Sequence, residues 1–146
     1  MMKQYAMLML VLVWAGCILA ISFMESWLKF RAPGVTLPIG LGIGKLVFNA
    51  LNKMEWVFAI FILLIYFFGK QQTDAYSMFL FVLPVCLLIL QTFWWLPALD
   101  ARANVVISGK TLPPSLLHWY FIGAEVVKHG SLLVLGYRLF KGSVVA

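Results

Sequence analysis

The sequence predicts an all-α fold: a four-helix transmembrane bundle made of two similar helical hairpins, arranged as a parallel repeat. Three observations point there. Hydrophobic residues make up 64% of the 146-residue chain and charged residues only 11%, against about 25% charged in a soluble domain. The apolar residues gather into four runs, each close to the roughly 20 residues that cross a hydrocarbon core. Finally, "GVTLP" at positions 34–38 returns 75 positions later as "GKTLP" at 109–113.

The length suits one integral membrane domain over 1–146, with helices expected at about 4–24, 38–68, 76–97 and 114–140. The first apolar run follows Lys3 as a signal peptide would. It is too long for an h-region, however, and lacks an A-x-A-like cleavage site. It closes on the charged and aromatic "ESWLKF", as a retained helix does at an interface. The second helix is announced by Thr36 and Pro38. Proline suits a first helical turn, where its missing N–H costs nothing, and a threonine just before it can satisfy free N–H groups. A tight "GKQQTD" turn at 69–74 leads to the third helix, whose "FWWLP" at 93–97 reads as an interfacial aromatic belt. Thr111 and Pro113 then announce the fourth helix as Thr36 and Pro38 announce the second.

Sliding the chain on itself by 75 residues sets Glu25 on Asp100, Leu12 on Leu87, Leu41 on Leu116 and Lys53 on Lys128. The expected repeat halves are 1–71 and 76–146, related by an axis along the membrane normal. Both termini then share one side, and the longer connections, 25–38 and 100–114, share the other. Lys3, Lys70, Arg138 and Lys141 on the first side balance Lys29, Arg31, Arg102 and Lys110 on the second. The positive-inside rule therefore favours neither orientation.

The polar residues inside the apolar runs are the candidate site. At 100° per residue Lys45, Asn49 and Asn52 form one stripe of helix two, flanked by Glu55 and Lys53. On helix four His118, Glu125 and His129 share a stripe with Lys128 at its edge. Glu55 lies 13 residues before Phe68, Glu125 lies 13 before Arg138, and Gln91 reaches a similar level. At 1.5 Å per residue the two glutamates sit about 20 Å from the terminal side. Ionisable groups at such depth cost on the order of 3 kcal/mol each and usually face a shared interior. The candidates for a ligand, ion or proton site are thus Glu55, Glu125, Lys128, His129, Asn52, Asn49 and Gln91. Toward the loops stand Glu25, Asp100, Arg102 and His118. The competing reading is that these charges neutralise one another as structural glue, with Glu55 pairing to Lys53 or Lys128.

Other chemistries find little support. The net charge of +6 is scattered around helix ends, which suits anionic lipid rather than a nucleic acid. Cys17 and Cys86 lie in apolar runs and read as buried free thiols. The histidines lack HExxH spacing and a second Glu–His pair, so no metal is expected. "GLGIGK" fails the phosphate-loop pattern, which needs Gly where Ile39 stands and Ser or Thr where Leu46 stands; Gly40 and Gly44 read instead as a GxxxG contact. Ser108, Ser115 and Ser131 show no nucleophile–base–acid spacing, and no cofactor is named by any motif.

"NKMEWVFAIFILL" at 52–64 resembles the N-x-x-E second helix of the membrane-associated eicosanoid and glutathione metabolism family. That resemblance implies a membrane-bound glutathione-type transferase, trimeric, with Asn52 and Glu55 contacting the thiol peptide. Lys45 and Asn49 stand where that family carries Arg and His.

The functional expectation is a multi-pass membrane protein, of the cell membrane or the inner membrane in a bacterium. Its intramembrane polar pocket would bind a small ligand, an ion or a proton. The alternatives are the transferase and an accessory or structural subunit of a membrane complex. The expected partners are the lipid bilayer and either further copies of the chain or a membrane partner subunit, with no nucleic acid.

Overall fold

A computed structural model describes residues 2–69 and 74–144. All regular structure among them is helical. Four helices carry the fold: α1 (Met2–Arg31), α2 (Leu37–Gly69), α3 (Ala75–Ile107) and α4 (Leu117–Val144). Each packs on its sequence neighbours, and α4 closes the ring on α1. Trp14, Ile18, Ile62, Leu88 and Leu132 fill the centre. The helices α1, α2 and α3 are long and apolar enough to cross a membrane. The remaining helix, α4, carries Glu125, Lys128, Arg138 and Lys141 and falls outside that class.

Three helix bounds differ from those read in the sequence. The first helix was expected to end near 24 and runs to Arg31; the third was expected to end near 97 and runs to Ile107. Both pass through one wide turn with π geometry, Leu19–Glu25 in α1 and Gln91–Trp95 in α3. Such turns appear inside α-helices as single insertions. The Leu96 N–H bonds back five residues to Gln91 O, and Pro97 follows in the first turn of the next α-helical stretch. A missing N–H is tolerated there, so the proline does not end the helix. Residues 70–73 of the expected "GKQQTD" turn at 69–74 lie outside the described residues.

The third difference concerns the repeated T-L-P. Pro38 does lie in the first turn of α2, where Gly40 N–H bonds to Thr36 O at 2.9 Å. Pro113 lies ahead of α4, which begins at Leu117 rather than 114. A residue preceding proline is steered away from helical geometry, and Pro113 precedes Pro114. The Ser115 hydroxyl, not Thr111, meets the new helix, accepting from Leu117 N–H at 3.2 Å. What the two connections do share is Gly34 and Gly109, with φ of 82° and 83°, a left-handed turn that glycine enters without strain.

Gly40 and Gly44 do not receive a facing helix backbone. A Cβ at Gly40 would overlap the Phe30 ring, and one at Gly44 would lie 3.0 Å from Lys29 Nζ. The glycines make room for side chains at the end of α1. Cys17 is half-buried, while Cys86, expected inside, is exposed on the outer face.

Pro84 is fully buried within α3 and cannot donate to the carbonyl of Leu80 four residues back. Ser131 of α4 supplies the missing donor, its hydroxyl reaching Leu80 O at 2.7 Å. Replacing Ser131 by Ala should cost about 1–3 kcal/mol for an unsatisfied buried acceptor. In a Pro84→Ala background the restored backbone bond should shrink that loss, which denaturant unfolding in detergent measures.

Asp74 caps α3. Its carboxylate accepts from Ser77 Oγ at 2.7 Å and Ser77 N–H at 3.2 Å, and pairs with Arg138 Nη2 at 3.0 Å. The Ser77 bonds, helped by Arg138, lower its pKa from the ordinary 3.8 to about 2. A carboxylate with a depressed pKa stabilises the fold above its unfolded value, and that contribution is lost as pH falls through the folded one. Thermal unfolding of wild type should therefore shift downward between about pH 4 and pH 2 by more than that of Asp74→Asn.

Candidate functional site

The charged groups that α2 and α4 carry into the interior meet at one ammonium. Lys128 Nζ of α4 donates to Glu55 Oε1 of α2 at 2.6 Å, to Gln91 Oε1 of α3 at 2.5 Å, and lies 2.7 Å from Glu125 Oε1 one turn earlier. Of the ammonium's three protons, two are donated to Glu55 and Gln91, and Glu125 adds a second opposing charge. The carboxylates are anchored in turn. Trp14 Nε1 of α1 donates to Glu55 Oε1 at 3.0 Å. Ser22 Oγ of α1 donates to Glu125 Oε2 at 2.7 Å, and Gln91 Nε2 to Glu125 Oε1 at 2.6 Å. Lys128 is 0% exposed, Glu125 and Gln91 1%, and Glu55 2%. Every helix of the ring thus contributes to one buried network.

Local structure explains the aim of each group. Glu125 and Lys128 are three apart on α4, so both point to the same side. Gln91 and Ser22 both sit in the wide turns of α3 and α1, where an extra residue rotates the following side chains. Trp14 and Ser22 were not among the sequence candidates. Their one signal was a spacing of eight along α1 with Ile18 between them, two helical turns on one face.

The other candidates disperse. Asn52 Nδ2 donates to Thr92 Oγ1 at 2.9 Å, which also accepts from Trp56 Nε1 at 2.9 Å and donates to Leu88 O at 2.7 Å. This node joins α2 to α3 and includes Thr92 and Trp56, which sequence reasoning passed over. Asn49 Nδ2 donates to Asp100 Oδ2 and to Lys45 O, both at 2.8 Å. His129 does not join the cluster: its Nδ1 lies 3.1 Å from Ala15 O, and its ring meets Phe23 edge-on. One turn farther along α4 from Glu125, toward the termini, it faces the backbone of α1 rather than the carboxylates. Lys53 is exposed, and Lys128 is the partner Glu55 takes.

Above the network, on the side of the longer connections, lies a cavity of about 480 Å³. Its floor includes Ser22 and Glu125; its walls carry Lys29, Lys45, Asp100, Arg102 and His118 among apolar side chains such as Phe48, Leu99 and Phe121. Glu25 pairs with Lys29 at 3.1 Å, its other oxygen buried without a hydrogen-bond partner. Three of the four loop-side candidates, Asp100, Arg102 and His118, line this space, while Asn52 and Glu55 do not. Among the described residues no group of three or more His, Cys, Asp and Glu side chains is arranged to hold a metal ion.

Comparison of the chain with protein-family models, curated proteins and solved structures finds no match.

The network predicts a strong asymmetry between partial and complete removal. Lys128→Met strands two buried carboxylates and should destabilise the protein by about 3–5 kcal/mol. Combining it with Glu55→Gln and Glu125→Gln removes the charges together and should recover much of the loss. Unfolding midpoints of the single and triple variants in detergent provide the measurement.

Proposed function

We propose that the chain is a four-pass membrane protein whose interior cluster exchanges a proton or a small cation with the cavity beside it. Membrane insertion is supported by three sufficiently apolar helices and by an outer face carrying exposed Leu46, Phe67, Phe79, Phe93 and Val126. The fourth pass follows from pairing. Of the α4 charges, the two deepest in the helix, Glu125 and Lys128, are matched inside the ring, so α4 joins α1, α2 and α3 as part of a four-helix bundle. The parallel repeat is supported by Gly34 and Gly109, 75 residues apart and alike in φ, and by wide turns in both α1 and α3.

The observation that carries the functional reading is the position of Glu125. It binds Lys128 on one side and forms the cavity floor with Ser22 on the other. Two carboxylates surround one ammonium, so the ionised cluster carries one negative charge more than it neutralises. An unmatched charge away from water is costly, which favours a bound proton or small cation as the balancing partner. Glu55 and Glu125 share that role, and Lys128 fixes how many charges must be balanced. The transferase reading is less well supported, because Asn52 and Glu55 turn to different helices and away from the cavity.

Glu125→Gln keeps shape and hydrogen bonding while removing the charge. In nanodiscs, the infrared band of a protonated carboxyl should titrate with pH in wild type. It should respond to added sodium if a cation competes, and it should vanish in Glu125→Gln while the melting temperature persists. A wild-type protein with no titrating carboxyl, or a Glu125→Gln chain that unfolds along with Ser22→Ala, would make the cluster structural.

A further inference from the structure

The outer part of the cavity has a charge balance of its own. Lys29 is matched by Glu25, and Glu125 on the floor is balanced within the buried cluster by Lys128 and the proton or cation held there. That leaves Lys45, Arg102 and Asp100 on the walls. Lys45 Nζ donates to the neutral Asn104 Oδ1 at 3.0 Å, and Arg102 Nη2 to the backbone carbonyl of Pro113 at 2.5 Å. Among the described residues neither cation forms an ion pair with a carboxylate. Asp100 accepts from Asn49. Two cations facing one carboxylate leave a single positive charge on the cavity wall.

Beside these groups and the polar Ser26 and His118, the surface is apolar, from Leu41, Phe48, Leu96, Leu99, Phe121 and Ile122. A volume of about 480 Å³ lies within the range that holds organic ligands and is far larger than a bare anion needs. Depth adds a further constraint. The 33 residues of α2 extend about 50 Å at 1.5 Å per residue, beyond a hydrocarbon core of about 30 Å. Counted from the exposed Phe68, Lys45 lies about 35 Å away, at the level of lipid head groups on the connection side.

We infer that this cavity binds an amphiphile with a singly anionic head group, of which a phosphodiester lipid is the type, with Lys45 and Arg102 holding the head. The apolar chain beside the head lies against Phe48, Leu99 and Phe121. This site rests on the membrane-spanning reading but not on ion exchange at the buried cluster. Its ligand meets the wall cations, while the exchanging proton meets Glu125.

Phosphatidylglycerol, phosphatidylcholine, oleate and inorganic phosphate serve as probes. Each is titrated onto detergent-purified full-length protein and followed by native mass spectrometry. Wild type should retain one phosphatidylglycerol per chain and release phosphatidylcholine. Affinity should fall at least ~10-fold in the Lys45→Gln/Arg102→Gln variant, the size expected for loss of charge-assisted hydrogen bonds. Lys110→Gln, which removes a charge on the same side but outside the cavity, should bind as wild type does. If the double variant does not fold, the single variants take its place, each expected to lose part of the affinity. Competition by oleate marks the site as accepting any singly charged amphiphile. Displacement of the lipid by millimolar phosphate identifies a free phosphate as the head-site ligand. Equal retention of phosphatidylcholine, or undiminished phosphatidylglycerol binding in the folded variants, overturns the inference. Glu55→Gln, which alters the buried cluster but does not line the cavity, should keep lipid binding, so failure here is distinguishable from failure of the exchange reading.

Discussion

The interaction on which the fold depends is the contact of the Lys128 ammonium with oxygens from α2, α3 and α4. A lysine with no exposure is tolerable only when its ammonium is hydrogen-bonded and its charge is opposed. Two hydrogen bonds and two flanking carboxylates meet that need, and meeting it fixes the rotation of α4 relative to its neighbours. α1 joins through Trp14 and Ser22, which hold the two carboxylates from the opposite face. The apolar core of Ile18, Ile62, Leu88 and Leu132 then packs around a polar centre rather than excluding one.

In the proposed four-pass arrangement, insertion is tied to tertiary structure. On insertion scales each charge at a helix centre costs about 2.5–3.5 kcal/mol, a cost that pairing inside the ring would offset for Glu125 and Lys128. Glu125 and Lys128 offset each other within α4 at spacing three, and Glu55 from α2 brings the second carboxylate. Similar logic governs the backbone. Pro84 frees a carbonyl in α3, and a serine of α4 takes it up. Polar defects in one helix are answered by polar groups in the next, as apolar surroundings require.

Much of this was legible in the sequence. Counting residues from the terminal side put Glu55, Glu125 and Gln91 at one depth, and Lys128 followed from its spacing to Glu125. The loop-side cluster of Asp100, Arg102 and His118 was also legible as the lining of one region. Trp14 and Ser22 were hidden because α1 carries no charge inside its apolar run, and neither a lone serine nor a tryptophan stands out there. The wide turns were hidden for a different reason: a π insertion shifts the angular phase of everything beyond it, and no residue type announces it. That shift, with Pro97 seated just past it, made α3 look ten residues shorter than it is. His129 shared a stripe with Glu125 on a straight helical wheel, yet one turn of height was enough to give it Ala15 O instead of a carboxylate. Angular position alone does not say which neighbour stands opposite.

The central claim is a contact, so a contact measurement tests it most directly. Solid-state NMR on the protein in lipid bilayers can couple isotope-labelled lysine side-chain nitrogen to labelled glutamate carboxyl carbon. The account predicts one lysine, assigned to Lys128, with strong through-space couplings to both Glu55 and Glu125. A Lys128 signal coupled to neither carboxylate, or to solvent-exchanging water alone, would contradict it.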